Sequence, residues 1–269
     1  IMTTGSSADR GIKLKMRQNA VVRNFIPVLP ICSNGKYTPI TFDANVKVNE
    51  AGSLTFICND GYSESIVTDA AAKENVLNYY WLIQASDDIV MSNNGKMTLS
   101  GLYSDAKGYD ADNYFGAHLE EHSGRIRKYE GVVTVASPSI NTEFYLGGTH
   151  AEICGIYTCG NKDNMNDQVR TYISIADGMW DDQSIWREYD IVTGTIKENG
   201  IVTENKNGCG IIIGSNVTLA PANERMKIYF LRVQADGIID FSTAKSNSFV
   251  TITGTGKIIV RGTFPAGNF

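Results

Sequence analysis

The pattern of apolar and polar positions predicts β-strands along most of the chain. In the segment ITFDANVKVN the two kinds of residue alternate without a break, which puts Ile40, Phe42, Ala44, Val46 and Val48 on one face. Such alternation is typical of an antiparallel strand with one buried face. Further segments with strand composition are separated by Gly, Asn and Asp: LTFICND, NYYWLIQAS, KMTLSGLYS, IRKYEGVVTVAS, EFYLGGTHAEICGIY, RTYISIA, GCGIIIGS, KIYFLRVQA, SFVTITG and KIIVRGTF.

Helix is expected at only three short places, residues 69–78, 110–124 and 182–190. Asp69 and Asp110 are suitable N-cap residues, and Gly124 is a suitable stop. No fixed repeat period is visible, which argues against a propeller or a solenoid. Many strands joined by long, irregular loops favour an all-β sandwich or jelly roll in one domain.

Composition is that of a globular chain able to bury a sizeable core. Of the 269 residues, 42% are hydrophobic and 20% charged, and no apolar run approaches the roughly eighteen residues that a membrane-spanning helix needs. The cysteine count is odd and no pair has C-x-x-C spacing, so we expect buried thiols and no disulfide framework. Cys154 and Cys159 lack the spacing of a zinc half-site. No metal or other cofactor is predicted.

Basic residues are concentrated near the beginning of the chain. Five of them precede Val28 against a single acid, Asp9, although the whole chain has a net charge of −5. Two interpretations remain open: a solvated surface stretch, or an arm that holds nucleic-acid phosphates. The residues concerned are Arg10, Lys13, Lys15, Arg17 and Arg23.

Two motifs suggest enzymatic chemistry. HLEEH fits H-x-x-E-H, in which His118 and His122 would bind zinc from one face of a helix, with Glu121 as the base. Such a site needs a third ligand on a later helix, and the residues after Gly124 favour strand. GTGK at 254–257 lacks the first glycine and the Ser/Thr of a phosphate-binding loop. The sequence therefore predicts a protein that is not an enzyme.

The order of elements resembles the capsid proteins of nodaviruses and of the nodavirus-like bacilladnaviruses. DANVKVNEAGSLTFICND is similar to that family's first hairpin, and GRIRKYEGVVTVASPSINTEFYLGGTHAEICG to its D and E strands entered from a short helix. KIYFLRVQADGIID and SFVTITGTGKIIVRGTF are similar to its last two strands. The resemblance implies an eight-stranded antiparallel jelly-roll sandwich with a few short helices.

The resemblance also implies a domain layout. Residues 1–35 would be a basic arm with its lead-in, and residues 36–264 a single shell domain. Residues 59–124 would be an insertion between strands C and D, residues 176–222 a surface projection, and residues 265–269 the start of a tail.

The function implied is that of a virion capsid protein that assembles with copies of itself into an icosahedral shell. The basic arm, with Arg10, Lys13, Lys15, Arg17 and Arg23, would package the viral genomic nucleic acid, and no membrane partner is implied. That family's cleavage after an asparagine is not assigned to Asn268, because the match there is a short remnant.

Two other classes remain open. One is a carbohydrate- or receptor-binding β-sandwich of a secreted or phage tail protein, suggested by aromatic residues that would serve core packing equally well. The other is a zinc hydrolase built on HLEEH. The aromatic residues concerned are Tyr79, Tyr80, Trp81, Trp180 and Trp186.

Overall fold

The computed structural model describes residues 11–33, 35–67, 71–121, 123–128, 132–198, 200, 202, 206–218, 226–240, 250–252 and 258–260. Most of these residues lie in β-strands or their turns, and the two α-helices, α1 (Val22–Phe25) and α2 (His150–Ile153), have four residues each. The all-β prediction is confirmed. None of the helices within this described part has the length and apolar character needed to cross a membrane.

The chain forms two compact units, Ile1–Asp167 and Gln168–Phe269. Each sheet among the described residues takes its strands from one unit only. The boundary lies inside residues 36–264, the stretch predicted as a single domain.

The first unit is an antiparallel sandwich. Its strands are β1 (Ile12–Met16), β2 (Val28–Leu29), β3 (Cys32–Ser33), β4 (Lys36–Tyr37), β5 (Ile40–Phe42), β6 (Val48–Glu50), β7 (Gly52–Asp60), β8 (Tyr79–Ala85), β9 (Val90–Met91), β10 (Lys96–Leu102), β11 (Tyr114–Glu120), β12 (Ile126–Lys128), β13 (Val132–Ala136), β14 (Ser139–Tyr145), β15 (Gly148–Thr149) and β16 (Gly155–Asn161). The large sheets have the orders β1-β7-β8-β16-β11-β12 and β13-β14-β10-β5-β2.

Aromatic rings join the two large sheets across the core. Phe42 of β5 and Phe56 of β7 have ring centroids 5.8 Å apart, and Phe144 of β14 lies edge-on to Tyr157 of β16 at 5.1 Å. Edge-to-face pairs of this kind stabilise a core beyond the burial of their area. The sandwich predicted from the strand pattern is therefore present in this unit.

The segment ITFDANVKVN forms two strands instead of the one that its alternation predicts. The carboxylate of Asp43 accepts a hydrogen bond from the backbone N–H of Asn45 at 2.8 Å, a side-chain turn that separates β5 from β6. β5 then pairs with β10, whereas β6 pairs with β9. Val46 and Val48 are nevertheless buried, as the alternation indicates.

The helix predicted at 110–124 is wrong, and the helices predicted at 69–78 and 182–190 are present only as short 3-10 helices. Residues 110–124 contain strand β11, which pairs with β16 along all seven of its residues and also with β12. Residues 69–78 and 182–190 contain the short 3-10 helices Ala71–Asn75 and Gln183–Ile185, each followed by a strand residue within five positions. The local preferences of these segments are overridden by pairing with neighbouring strands.

The stretch 59–124, predicted as a loop insertion, supplies central strands of the sandwich. Trp81 and Ile83 of β8 and Leu99 of β10 are buried in the main core. Leu82 lies on the opposite face of β8, beside Ile156 of β16, and both of these side chains are buried too. The six-stranded sheet is thus covered on both faces where β8 and β16 pair.

The second unit is built mainly from parallel strands. They are β17 (Thr171–Ser174), β18 (Gly178–Met179), β19 (Trp186–Asp190), β20 (Thr195–Lys197), β21 (Gly210–Ile213), β22 (Asn216–Thr218), β23 (Met226–Ile228), β24 (Phe230–Val233), β25 (Ile238–Asp240), β26 (Val250–Ile252) and β27 (Ile258–Val260).

The chain of this unit visits its three sheets in a repeating order. β21, β22 and β23 are followed by β24, β25 and β26, and each strand pairs in parallel with its counterpart in the next coil. β17 and β27 extend the first of these sheets in parallel, and β19 and β20 add two antiparallel strands at its edge. This arrangement is a parallel β-helix, in which each coil stacks on its neighbour.

Aliphatic side chains stack from coil to coil inside the β-helix. Ile211 is in register with Tyr172 on one side and Leu231 on the other, and all three are buried. Ile211 and Leu231 are twenty positions apart, whereas Leu231 and its partner Ile258 are twenty-seven apart. Because the turns differ in length, the coils leave no fixed period in the sequence, and the prediction against a solenoid is wrong.

Two expectations from the capsid resemblance differ from this second unit. β24 and β27 lie in the two segments that were likened to the last two strands of the jelly roll, and they pair in parallel with each other. Residues 176–222, predicted as a surface projection, contain the buried strand β21 and the buried rings of Trp180 and Trp186.

Candidate functional site

The cations predicted to form an arm lie on a paired strand. β1 pairs with β7, with Ile12 opposite Phe56 and Leu14 opposite Leu54, so its apolar residues pack on the core. Lys13 and Lys15 alternate with them and are exposed. Arg17 and Arg23 are exposed as well, and Arg10 lies outside the described residues. These four cations form no ion pair with another described residue, and the structure leaves their role in binding nucleic acid as a prediction.

HLEEH does not form the helical zinc motif. His118 is a buried residue of β11, where its ring stacks on Tyr157 with the centroids 4.1 Å apart. Its Nε2 lies 3.3 Å from the carbonyl oxygen of Cys154. His122 lies outside the described residues. The part of the chain that the structure describes has no group of three or more His, Cys, Asp or Glu placed to hold a metal ion.

The backbone beside His118 is closely packed. Gly155 has a φ of +149°, and a Cβ there would lie 2.0 Å from the carbonyl oxygen of Leu119 and 2.7 Å from Nε2 of His118. Only glycine fits this position, so the contact between β11 and β16 depends on it.

The cysteines are buried thiols, as predicted, at the four positions where the structure describes the side chain. They are Cys58, Cys154, Cys159 and Cys209. Burial raises the pKa of Cys154 and that of Cys159 to about 12. A thiol with such a pKa is almost entirely protonated at neutral pH and is a poor nucleophile.

The aromatic residues proposed for carbohydrate binding are mostly core residues. Tyr79 and Trp81 are buried in the first unit and Trp180 and Trp186 in the second, whereas Tyr80 is partly exposed. The two tryptophans of the second unit enclose Lys206, whose Nζ lies 5.7 and 5.1 Å from their ring centroids. Burial lowers the pKa of Lys206. These rings stabilise the core and do not form an open platform.

A concave, basic site lies at the edge of the first unit's six-stranded sheet. It has a volume of about 950 Å³, and we call it the basic groove. One wall is the strand β12 with the residue before it, and the other is the 3-10 helix Lys162–Asn164 with the residues after it. The lining residues are Arg125, Ile126, Arg127, Lys128, Lys162, Asp163, Met165, Asn166 and Asp167.

Hydrogen bonds fix the walls of the basic groove to each other. Nζ of Lys128 donates to the carbonyl oxygen of Lys162 at 2.9 Å and forms an ion pair with Asp167, also at 2.9 Å. The backbone N–H of Ile126 donates to the carbonyl oxygen of Asp167 at 2.9 Å. Asp163 accepts a hydrogen bond from the side-chain amide of Asn113 at 2.8 Å. The shape of the groove therefore does not depend on a ligand.

The other three cations of the groove differ in the contacts that their side chains make. The guanidinium of Arg127 forms an ion pair with Glu120, and Nζ of Lys162 lies 5.7 Å from the ring centroid of Phe115. The exposed side chain of Arg125 has no ion-pair partner among the described residues. Nδ2 of Asn166 is buried and has no hydrogen-bond partner within the same described part. The groove thus carries more positive than negative charge and one unused buried donor.

The basic groove is not apparent from the sequence. The run RIRK at 125–128 lies within a segment whose composition predicts only a strand. Its opposite wall comes from residues 162–167, and the two walls meet because β11 pairs with β12 on one side and β16 on the other. The run of three cations in four residues was the available signal.

Comparison with known proteins gives no relative of this chain. No protein family, no curated protein and no solved structure matches it.

Proposed function

We propose that the chain is a carbohydrate- or receptor-binding part of a secreted or phage tail protein. The observation that carries the proposal is the parallel pairing of β17, β21, β24 and β27 in successive coils. A β-helix repeats its outer surface from coil to coil, and such extended surfaces suit the binding of long ligands. A jelly-roll shell has antiparallel strands and does not account for these coils.

The outer face of the five-stranded sheet supports a binding function. Thr98 lies opposite Glu143, and Ser100 lies opposite Asn141, so hydroxyl, carboxylate and amide groups stand in adjacent rows on β10 and β14. Tyr145 is 65% exposed at the end of β14, with Nζ of Lys96 5.4 Å from its ring centroid. Groups of these kinds form hydrogen bonds with sugar hydroxyls and stack on sugar rings.

Negative-stain microscopy of the expressed chain, combined with a glycan-array screen, tests the proposal. We expect discrete particles that never close into shells, and binding to a restricted set of glycans. Closed spherical particles, or the absence of binding to every glycan on the array, would contradict it. The proposal assigns no reaction to the chain.

A viral capsid function is the second proposal. The antiparallel two-sheet sandwich of the first unit and the exposed cations of β1 favour it. On this proposal the chain forms closed spheres that retain nucleic acid. If four or five phosphates are contacted near the beginning of the chain, the log–log dependence of binding on salt should have a slope of roughly −3.

The capsid proposal is tested by a fourfold variant with Ser at Arg10, Lys13, Lys15 and Arg17. The variant should lose most of this salt slope, and circular dichroism should show an unchanged fold. Equal slopes for the variant and the original chain would mean that these cations are ordinary solvated surface.

A further inference from the structure

We propose that the basic groove binds an acidic polysaccharide through its carboxylate or sulfate groups. This inference rests on the proposed carbohydrate-binding function and assigns it a place in the first unit. The groove is concave, formed by hydrogen-bonded walls, and richer in cations than in carboxylates.

The charges of the groove suit a ligand with spaced anionic groups. Arg125, which has no ion-pair partner among the described residues, offers its guanidinium to a ligand, and the guanidinium of Arg127, paired with Glu120, adds positive charge on the same wall. A planar guanidinium binds a carboxylate or a sulfate with two parallel hydrogen bonds. Lys128 contributes less, because its charge is already paired with Asp167.

The other groups of the groove suit the hydroxyls of a sugar. The carboxylates of Asp163 and Asp167 are acceptors for hydroxyl donors, and both side chains are exposed. Asn166 also lines the groove, and its Nδ2 is buried without a hydrogen-bond partner among the described residues. A ligand with both anionic groups and hydroxyl groups therefore uses the whole lining.

Nucleic acid fits the groove less well. None of the described residues that line it is aromatic, so the stacking surface on which single-stranded nucleic acids are held is missing there. Asp163 and Asp167 would repel a closely spaced row of phosphates. Binding of an oligonucleotide is accordingly the alternative outcome of the test.

The experiment measures affinities of the full chain for four probes of similar length. They are an oligogalacturonate with carboxylates, a heparin oligosaccharide with sulfates, a neutral dextran oligomer and a single-stranded DNA. We expect one of the two acidic saccharides to bind most tightly, and its affinity to fall as salt is added. The choice between these two identifies the anionic group.

A double variant, Arg125→Gln with Lys162→Gln, should bind the acidic saccharide about tenfold more weakly, since two charge contacts are lost. The matched control is Lys13→Gln with Lys15→Gln, which removes the same charge from β1 and should leave the affinity unchanged. Arg125→Gln alone, expected to weaken binding about threefold, keeps the test valid if the loss of Lys162 disturbs its contact with Phe115.

Four results would overturn the inference. Equal losses in both double variants would mean that only overall charge matters, and tighter binding of DNA than of either acidic saccharide would identify a nucleic-acid surface. Saccharide binding that survives in both variants would place the carbohydrate site elsewhere and leave the proposed function intact. No binding of either acidic saccharide, together with binding to other glycans on the array, would refute this inference alone, whereas no binding in either experiment would refute carbohydrate binding as well.

Discussion

His118 and Tyr157 lie nearly parallel inside the first unit, with an angle of 10° between their rings. The histidine is 3% exposed, and Nε2 of its ring is directed at the carbonyl oxygen of Cys154. A ring held in this way fills volume between β11 and β16 and cannot reach a metal at the surface without leaving the core. At the scale of the residue, burial thus decides the role of this histidine.

Replacing His118 with Ala should lower the free energy of unfolding by about 3 kcal/mol, because a stacked ring is lost and a cavity remains. Urea unfolding provides the measurement. The control is His150→Ala, which removes a partly exposed ring paired with the exposed carboxylate of Asp87 and should cost less than about 1 kcal/mol. Zinc should not change the melting temperature of the original chain, and a shift that His118→Ala abolishes would contradict our assignment.

Cys159 should make the first unit sensitive to alkaline pH. Its pKa is about 12 in the folded chain, because the thiol is buried, and about 9 when the chain is unfolded. Between these pH values the thiol is ionised only in the unfolded state. Its contribution to the free energy of unfolding is therefore fully present below pH 9 and is lost as pH rises through this window. The loss should be about 1 kcal/mol for each pH unit in this window.

Urea unfolding at pH 8, 9.5 and 10.5 measures this loss. The variant Cys159→Ala should be less stable at pH 8 but should lose less stability per pH unit than the original chain. If the two chains show the same pH dependence above pH 9, the thiol does not contribute to it.

The lysines of β1 are consistent with a nucleic-acid-binding arm in the sequence, but in the structure they belong to a paired edge strand. Its lysines alternate with Ile12, Leu14 and Met16, and the alternation becomes significant only when β7 is available as a partner. Edge strands commonly carry lysines on their exposed side, which prevents pairing with another sheet. The cations of β1 thus have a structural explanation that needs no nucleic acid.

Limited proteolysis distinguishes a paired strand from an arm. We expect trypsin to leave the bonds after Lys13 and Lys15 intact under native conditions, because a protease must unpair β1 before it can cut there. Mass spectrometry of the products provides the readout. The comparison is the exposed bond after Lys107, whose side chain pairs with the exposed Glu74. Cleavage after Lys13 before any cleavage after Lys107 would show that the segment is an arm.

The whole molecule combines two ways of building a β-sheet. Strands of the first unit pair antiparallel, and those of the β-helix pair mostly in parallel with strands twenty or more positions away. Each unit has its own apolar cluster. Because the two units have separate cores, a core substitution in one should leave the other folded.

Ile211→Ala tests this separation. It removes a side chain stacked between Tyr172 and Leu231, and should destabilise the second unit by about 3 kcal/mol. Hydrogen exchange should become faster in peptides from residues 168–269 and remain unchanged in peptides from residues 11–167. The partly exposed Ile238 is the matched control, since Ile238→Ala should have little effect. Faster exchange in both units would show that they unfold together.

The strand content of this protein was predictable from local pattern. LTFICND, NYYWLIQAS and KMTLSGLYS became β7, β8 and β10, because their apolar residues suit a pleated surface with at least one buried face. The same reasoning failed at 110–124, where Leu119 and His118 are buried on opposite faces of β11. A strand buried on both faces loses its period of two, and its composition then resembles a short helix.

Pairing partners and direction were decided by tertiary structure alone. Alternation shows which side chains share a face, but it carries no information on whether the next strand runs parallel or antiparallel. The β-helix stayed hidden because the offsets between its stacked residues differ. The basic groove stayed hidden because Lys128 and Lys162, whose contact closes it, are 34 positions apart. Local sequence determines secondary structure through short-range sterics and burial, whereas a site assembled from distant segments exists only after the sheets have formed.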